Sequence, residues 1–460
     1  MKPSKYLQRQ CEPEGSIILQ ALQNASLGPW DYFIGIPLCG EHERYQTVLQ
    51  SVARLEKLSA HERILLVLLV NEHPDTPADY IDANQKTLVE LSQGSSRSLS
   101  TAPPTWLDQS SPHKFDTIVV NRTQAWRFPA KQGVGLARKI IADIGLCLYR
   151  GGLLRRRWLH NTDGDVSLPG DYLLQAENWH RDQTSKALLY QYQHVQDQSG
   201  STADSHWQAA KQYEIWLRYY ELGLAYAGSP YAFPTIGSTI TFAADAYESV
   251  HGFPRRSAGE DFYLLNKLAK LGKIQVLGGR PIVLTDRPSI RVPFGTGQGT
   301  AKIENLMRKN EDFQVYHPVV FDGLKLVLEA AIQSLAHQDP EAAFPTILQE
   351  SAQQICPTLC NEKNAAAWEQ AISSFGFAKA CATAAKQARD TKGIRQQFHV
   401  WFDAFRTLKW IHLLRDQFFG SIHLLAALDE ASFIPQEDIA GERLQQLRHI
   451  QSVHRSGGLY

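Results

Sequence analysis

The feature that most constrains the fold is an unbroken run of seven apolar residues, 64–70. A strand that is apolar on both faces has to be covered on both sides, which is typical of a parallel sheet between layers of helices. Strand and helix patterns alternate around this run, beginning with a strand pattern at 32–37 and a helical pattern at 45–58. The sequence therefore predicts an α/β domain with a parallel sheet.

The pattern changes to helices only from about residue 312, with apolar residues at helical spacing over 323–335, 366–388 and 397–419. We expect an N-terminal extension at 1–29, an α/β domain at 30–310 and an all-α C-terminal domain at 311–460. Residues at about 92–113 are rich in Ser, Pro and Thr and lack periodicity, which indicates a mobile surface insertion.

The charge balance limits the partners of this chain. Lys and Arg together number 47, and Asp and Glu also number 47, so no global field draws the protein to nucleic acid. No apolar run approaches the roughly 20 residues that span a bilayer, and the first 14 residues lack the apolar core of a signal peptide. We expect a soluble cytoplasmic protein without a transmembrane segment, and peripheral contact with a membrane is left open.

Two carboxylates stand one residue apart in Asp163-Gly164-Asp165, directly after a predicted strand at 157–161. In an extended segment residues i and i+2 project to the same side, so both carboxylates can face one hard cation and the phosphates it carries. The alternative for this tripeptide taken alone is a solvated turn, because Asp and Gly are common in turns. The motif suggests a site for a metal-bound diphosphate.

Several short motifs follow one another in an order that resembles the family 2 glycosyltransferases, which use nucleotide-sugar donors and have the GT-A fold. The resemblance covers roughly residues 30–300 and rests on four segments. They are 34–37 with Glu41; 133–138; 163–165 with 168–173; and 237–238 with 246–254, which leads to Gly259-Glu260-Asp261. It implies that 30–310 form a GT-A domain, a mixed, mostly parallel sheet flanked by helices.

The resemblance implies a role for each carboxylate of the Asp-x-Asp motif. Asp163 lies near the ribose of the donor, and Asp165 is the direct ligand of a divalent cation. Mn²⁺ or Mg²⁺ suits oxygen ligands, and the chain lacks the Cys/His spacing of a zinc site. Asp286, just after a predicted strand at 281–285, is a candidate for a further metal ligand, with an ion pair to Arg287 as the alternative.

An acceptor hydroxyl has a pKa far above neutrality, so an inverting sugar transfer needs a base opposite the leaving group. Asp261 is our candidate for this base, with Glu260 beside it as a second catalytic carboxylate. The alternative role of this acidic pair is to stabilise the start of a predicted helix at 262–271 through the helix dipole.

Further residues are candidates for binding the donor. Pro37 and Glu41 follow the first strand, where the resemblance places contacts to the nucleoside. Asn71 follows the second strand, in the region that faces the base in relatives. Arg138 either reaches a phosphate or braces the Asp163-Gly164-Asp165 turn, with an ordinary cation on a helix surface as the alternative.

Two more arginines, Arg287 and Arg291, precede a glycine-rich stretch at 295–299 that we expect to be a flexible loop. Such a loop with nearby guanidinium groups would close over the diphosphate and exclude water. Its alternative is an exposed hinge between domains.

The first hypothesis is therefore a hexosyltransferase that moves one sugar from a UDP- or GDP-sugar to an unidentified hydroxyl acceptor. A nucleotidyltransferase or sugar-nucleotide pyrophosphorylase is the alternative enzyme, but Pro37-Leu38-Cys39-Gly40-Glu41 stands where those enzymes carry a glycine-rich signature next to a basic residue. A catalytically inactive GT-A-like binding module is a third reading. The sequence leaves three partners open for the helical domain: the acceptor, a second subunit in a homo-oligomer, and a membrane surface.

Overall fold

The computed structural model describes residues 4–94, 96–110, 115–197, 204–286, 295–361, 363–435 and 443–455. Contacts divide the chain into two units, the first being Met1–Ala210 with Thr235–Lys302 and the second Lys211–Pro234 with Ile303–Tyr460. The sequence predicted domain boundaries at 29/30 and 310/311. It did not predict that residues 211–234 belong to the second unit. Arg287 and Arg291 lie outside the described residues.

The first unit is built on a nine-stranded sheet with the order β11-β8-β10-β6-β1-β2-β5-β4-β3. Its strands are β1 (Tyr32–Leu38), β2 (Ile64–Asn71), β3 (Ser96–Thr101), β4 (Pro104–Asp108), β5 (Asp116–Arg122), β6 (Trp158–Asn161), β8 (Ser185–Leu189), β10 (Ile240–Ala243) and β11 (Lys273–Val276), with β7 (Val166–Ser167) and β9 (Tyr192–Val195) in a second sheet. The central strands β6, β1, β2 and β5 are parallel, and β10 runs antiparallel to both of its neighbours. Every residue of β2 is buried, as the apolar run predicts.

Helices cover this sheet. They are α1 (Lys5–Arg9), α2 (Pro13–Asn24), α3 (Tyr45–Ala53), α4 (Ala78–Leu91), α5 (Val134–Arg150), α6 (Tyr172–Glu177), α8 (Ala244–Ser249) and α9 (Glu260–Leu271), with α7 (Asp204–Tyr226) passing from the first unit into the second. The long helix α5 lies close against β1, because a Cβ at Gly35 would be 2.1 Å from the Ile141 side chain. Glycine at this position lets the helix that carries Arg138 approach the sheet.

Residues 92–113 are not the irregular insertion that we expected. They contain β3 and β4, an antiparallel pair that extends the sheet beyond β5. In β4 the buried residues are Thr105 and Leu107, and the three residues that alternate with them are half-buried. This alternation has the period of a strand, but it covers only five residues and includes a threonine, so it was missed in the sequence.

A three-stranded sheet with the order β7-β12-β9 follows the Asp163-Gly164-Asp165 turn, with β12 at Ile282–Thr285. Val283 pairs with Ser167 and Leu284 with Val166 in the antiparallel β12–β7 ladder. Val166 directly follows Asp165 in the chain. The small sheet therefore brings the end of β12 to the acidic turn.

The second unit is mainly helical. Its helices are α11 (Val319–Ser334), α12 (Pro340–Ile355), α13 (Ala365–Phe375), α14 (Phe377–Gln387), α15 (Thr391–Trp401), α16 (Ala404–Leu414), α17 (Leu424–Glu430) and α18 (Arg443–Arg455), and α10 (Thr296–Arg308) precedes them. Aromatic side chains fill the core, as where Tyr219 of α7 meets Phe321 of α11 with ring centroids 5.6 Å apart. Within the described ranges no helix combines the length and apolarity that crossing a bilayer requires.

Two local expectations from the sequence were wrong. The region is not exclusively helical, because β13 (Gln314–Tyr316) and β14 (Ser421–His423) form a short antiparallel pair. The stretch at 295–299 is not a loop throughout, since α10 begins at Thr296 and includes two of its glycines. The overall fold class is confirmed: a mixed, mostly parallel sheet flanked by helices, with a helical C-terminal region.

Candidate active site

The Asp163-Gly164-Asp165 turn begins where β6 ends, next to the end of β1. Gly164 is packed so closely that a Cβ would lie 2.4 Å from Leu38 Cδ2 and 3.3 Å from Glu41 Cγ. Both aspartates keep partial exposure, whereas Gly164 is buried. Glycine therefore lets the turn seat against β1 and leaves the two carboxylates at the surface of the site.

Arg138 of α5 connects the acidic segments of the site. Its Nη2 donates to Asp163 Oδ1 at 2.7 Å, and its Nε donates to Glu260 Oε1 at 2.9 Å. The Arg138 side chain is only 4% exposed, so its charge acts in a largely dry environment. The nearby carboxylates of Asp163, Glu260 and Asp261 raise the pKa of Arg138 despite its burial. This guanidinium is therefore a buried cation that connects the 163–165 turn with the acidic pair at 260–261.

The backbone at Gly237 completes the cradle of this arginine. The Gly237 carbonyl accepts from Arg138 Nη1 at 3.0 Å and from Asn161 Nδ2 at 3.1 Å. A Cβ at position 237 would lie 2.4 Å from Arg138 Nη2. The sequence motifs included Gly237, but neither its contact with Arg138 nor the role of Asn161 was predicted. The only signal was the position of Asn161 at the end of a strand.

Glu260 and Asp261 open α9 after Gly259, whose left-handed φ of 72° suits glycine. Glu260 is buried against Arg138, and burial together with the charge of Asp261 raises the pKa of Glu260 to about 7. Burial also raises the pKa of Asp261, and the nearby Asp163 adds to the effect. Among the described side chains none donates a hydrogen bond to Asp261, which accepts from the Phe262 backbone N–H at 2.7 Å.

Burial raises the pKa of Asp163 as well, and Asp165 and Glu260 act in the same direction, whereas Arg138 opposes them. The Asp163 side chain is nevertheless 33% exposed, so one side of this carboxylate remains open to solvent. The site thus concentrates negative charge around one guanidinium. Such a site favours a proton or an added cation.

Asp286 is 3% exposed and lies just beyond β12. Its Oδ1 accepts from the Asp197 backbone N–H at 2.6 Å, and Asp197 in turn forms an ion pair with Arg44 at 2.9 Å. Its Oδ2 is buried and has no hydrogen-bond partner among the described residues. In the described ranges, no three or more His, Cys, Asp or Glu side chains converge in a metal-binding group, so Asp163, Asp165 and Asp286 do not form one.

The predicted nucleoside-binding residues lie at the ends of β1 and β2. Pro37 is buried within β1, and Glu41 is 2% exposed. Asn71 uses its side-chain Nδ2 to donate to the Leu38 carbonyl at 2.9 Å. Its amide therefore shapes the segment after β1.

Asn84 of α4, which was not predicted, supports the same segment. It accepts from the Gly40 N–H at 2.9 Å and donates to the Asn71 carbonyl at 3.0 Å. Its position in a helical pattern gave no signal of this role. The two asparagines together hold the ends of β1 and β2.

No family model matches this sequence, and no curated protein matches it. Solved structures that resemble it include GT-A-type glycosyltransferases. TarS 1-349 of S. aureus in complex with UDP-GlcNAc has a TM-score of 0.36 at 11% identity, covering 81% of this chain and 91% of that chain.

Two other structures belong to the same set. The mannosyltransferase PcManGT of Pyrobaculum calidifontis, in complex with GDP-Man and Mn²⁺, has a TM-score of 0.33 at 15% identity and covers 87% of this chain and 94% of that chain. Glucosyl-3-phosphoglycerate synthase of Mycobacterium tuberculosis, in complex with Mn²⁺, UDP and glucosyl-3-phosphoglycerate, has a TM-score of 0.31 at 13% identity and covers 69% of this chain and 90% of that chain.

Proposed function

We propose that this protein is a glycosyltransferase of family 2 type that transfers one sugar from a nucleotide-sugar donor to a hydroxyl acceptor. The observation that carries the proposal is the double contact of Arg138, 2.7 Å to Asp163 and 2.9 Å to Glu260. This contact joins a motif suited to a diphosphate leaving group with a motif suited to a base. Sugar transfer from a nucleotide donor needs both functions side by side.

Asp261 is the proposed base. It is partly exposed, and its pKa is raised by burial, so its carboxylate is more basic than an ordinary aspartate. In the proposed reaction the acceptor oxygen attacks the anomeric carbon, the bond to the diphosphate breaks with its electron pair, and the acceptor proton passes to Asp261. Attack from the face opposite the leaving group inverts the configuration.

Glu260 has a different role in this proposal. Its carboxylate is engaged by the guanidinium of Arg138 and is 5% exposed, so it is poorly placed to take a proton from an acceptor. It fixes Arg138 instead, and it raises the negative charge around Asp261. We therefore treat Glu260 as a positioning residue and Asp261 as the catalytic one.

A divalent cation, Mn²⁺ or Mg²⁺, fits the oxygen chemistry of the site. Asp165 is partly exposed in the turn, and Asp286, the residue after β12, has a buried carboxylate oxygen without a hydrogen-bond partner among the described residues. Asp163 contributes less, because its Oδ1 already accepts from Arg138. Since the described residues do not supply three protein ligands, the donor diphosphate and water would complete the coordination. When bound, the cation would neutralise charge on the leaving diphosphate.

The remaining assignments rest on the sequence motifs. Pro37, Glu41 and Asn71 are proposed to surround the nucleoside. Asn71 would act indirectly, because its amide binds the Leu38 carbonyl and so positions the segment after β1. Arg287 and Arg291 are proposed to contact the diphosphate. A cytoplasmic location belongs to the same proposal.

The test combines binding with product analysis. Calorimetric titration of UDP- and GDP-sugars with and without Mn²⁺ identifies the donor, and a panel of hydroxyl acceptors then identifies the product. Release of nucleoside diphosphate with an inverted glycoside supports the proposal. Release of pyrophosphate would indicate nucleotidyl transfer, and binding without turnover would indicate an inactive binding module. The absence of metal-dependent binding by every donor would reject the proposal.

A further inference from the structure

The segment from α14 to α16 is strongly basic in a chain whose charges balance. Between residues 377 and 414 it carries seven Lys and Arg side chains, and all of them are exposed. We call this set the basic face: Lys379, Lys386, Arg389, Lys392, Arg395, Arg406 and Lys409. An array of this kind departs from the interspersed charges of an ordinary protein surface.

The carboxylates of this segment do not offset the basic face. There are two of them, and both cap helices: Asp390 Oδ1 accepts from the Gly393 N–H at 2.6 Å, and Asp403 Oδ1 accepts from the Arg406 N–H at 3.1 Å. None of the seven cations forms an ion pair with a carboxylate in the part of the chain that the structure describes. Their charge is therefore directed at solvent or at a partner.

The spacing places these cations on outward-facing helix surfaces. Lys379 and Lys386 are seven residues apart on α14, and Lys392 and Arg395 are three apart on α15, so each pair shares one side of its helix. Helices α14 and α15 pack against each other. Arg406 at the start of α16 donates to the carbonyl of Trp401 at the end of α15, which links the third helix to the second.

An exposed aromatic ring lies among the charges. Phe405 in the first turn of α16 is 41% exposed, and the Lys409 ammonium lies 4.7 Å from its ring centroid. The Arg406 guanidinium lies 4.8 Å from the ring of half-buried Trp401. Apolar rings beside basic side chains are characteristic of helices that lie at a membrane interface, where the ring enters the acyl boundary and the cation meets the headgroups.

We propose that the basic face binds an anionic phospholipid surface, with Phe405 inserted at the boundary of the headgroups. An anionic bilayer matches both properties of the patch, whereas a polynucleotide would account for the cations but would leave the lone ring without a series of stacking partners. The interaction attaches the protein peripherally. It does not depend on sugar transfer.

The test measures sedimentation of the full-length protein with vesicles. Vesicles of phosphatidylcholine containing about 30% phosphatidylglycerol should bind the protein at low salt, and pure phosphatidylcholine vesicles should not. Raising the salt to about 0.5 M should release it, because exposed charges are then screened. The double substitution Lys392→Gln with Arg395→Gln should weaken binding by roughly tenfold or more. Phe405→Ser should weaken binding at low salt although it removes no charge.

The matched control is Lys86→Gln with Arg97→Gln, which removes the same charge from exposed positions of the first unit. It should bind vesicles like the unaltered protein. Circular dichroism checks that each variant is folded. Failure of the unaltered protein to bind anionic vesicles, or equal loss in both double variants, would overturn the proposal. So would binding of a duplex DNA fragment that is tighter than binding of the vesicles.

Discussion

Arg138 occupies the space that a side chain at Gly237 would need. A Cβ at position 237 would lie 2.4 Å from Nη2 and 2.9 Å from Cζ of the arginine, and the Gly237 carbonyl accepts from Nη1 at 3.0 Å. The Arg138 guanidinium is thus positioned by the backbone of Gly237 as well as by the carboxylates of Asp163 and Glu260. This close approach requires glycine, and it makes the position of Arg138 sensitive to a single methyl group.

Gly237→Ala should displace Arg138 and lower both stability and sugar transfer. Forcing a methyl group into a filled site typically costs about 1–3 kcal/mol of unfolding free energy. Gly278→Ala is the control, because no atom lies within 4 Å of a Cβ built there. Urea unfolding and turnover of the two variants should differ clearly; equal behaviour would mean that Arg138 can shift without consequence.

Arg138→Ala should be more severe, because it leaves the buried Glu260 without its cation. Removing one partner of a buried ion pair typically costs about 3–5 kcal/mol. The comparison is Arg280→Ala, whose exposed guanidinium pairs with Glu56 and Asp171, each pair being worth at most about 1 kcal/mol. Chemical denaturation measures both changes. A loss at Arg138 no larger than that at Arg280 would contradict the buried-pair interpretation.

Asp261→Asn should separate binding from chemistry. The amide keeps the size of the carboxylate but cannot take the acceptor proton, so turnover should fall by about 10²–10⁴-fold while donor affinity is kept. Calorimetry and turnover of the same preparation provide the two measurements. Full activity in this variant would remove Asp261 from the role of base.

Asp165→Ala should have the opposite signature and abolish metal-dependent donor binding. Even residues that only support metal ligands are worth about 10–100-fold in affinity, so a direct ligand should be worth more. Asp82→Ala, which removes an exposed carboxylate from α4, is the control. Donor binding that persists with Mn²⁺ in the Asp165 variant would mean that the cation is held elsewhere.

The raised pKa of Glu260 predicts a pH-dependent stability. Burial favours the protonated form in the folded protein, with a pKa of about 7 against an ordinary value of about 4.5, so folding takes up protons between these two pH values. The contribution of Glu260 to stability is therefore most favourable below about pH 4.5 and declines as pH rises to about 7.

Thermal unfolding of the unaltered protein and of Glu260→Gln tests this sign. The melting temperature of the unaltered protein should fall relative to that of the variant as pH rises through this window. Groups that do not interact with Glu260 drop out of the difference, including buried His160, whose lowered pKa of about 3 acts in the opposite direction. A difference that does not change with pH would contradict the raised pKa of Glu260.

The strands of the sheet core were predictable because their sequence pattern is local. The run at 64–70 is apolar throughout, and the structure buries all of it in β2. The strands β8 and β9 were missed, because each is short and depends on neighbours distant in sequence. Ile240 pairs with Leu189 in the ladder between β10 and β8, and nothing within five residues of Leu189 identifies that partner.

In the candidate site, too, local motifs were predictable from the sequence, whereas contacts between distant residues were not. The acidic motifs at 163–165 and 260–261 are visible in the sequence because each is a local pattern, and their order along the chain resembles that of family 2 glycosyltransferases. That Arg138 joins them depends on how α5 crosses the sheet, which local pattern does not encode. The division of labour between Glu260, which binds Arg138, and Asp261, which stays partly exposed, likewise required side-chain positions.

The assignment of residues 211–234 to the second unit has a consequence during synthesis. Tyr219 in that segment packs against Phe321, which leaves the ribosome later by about 5–20 s at ordinary elongation rates. Throughout that interval the aromatic side of α7 has no core to enter. A chaperone that shields nascent apolar helices should therefore raise the yield of this protein, and a chain stopped before α11 should aggregate.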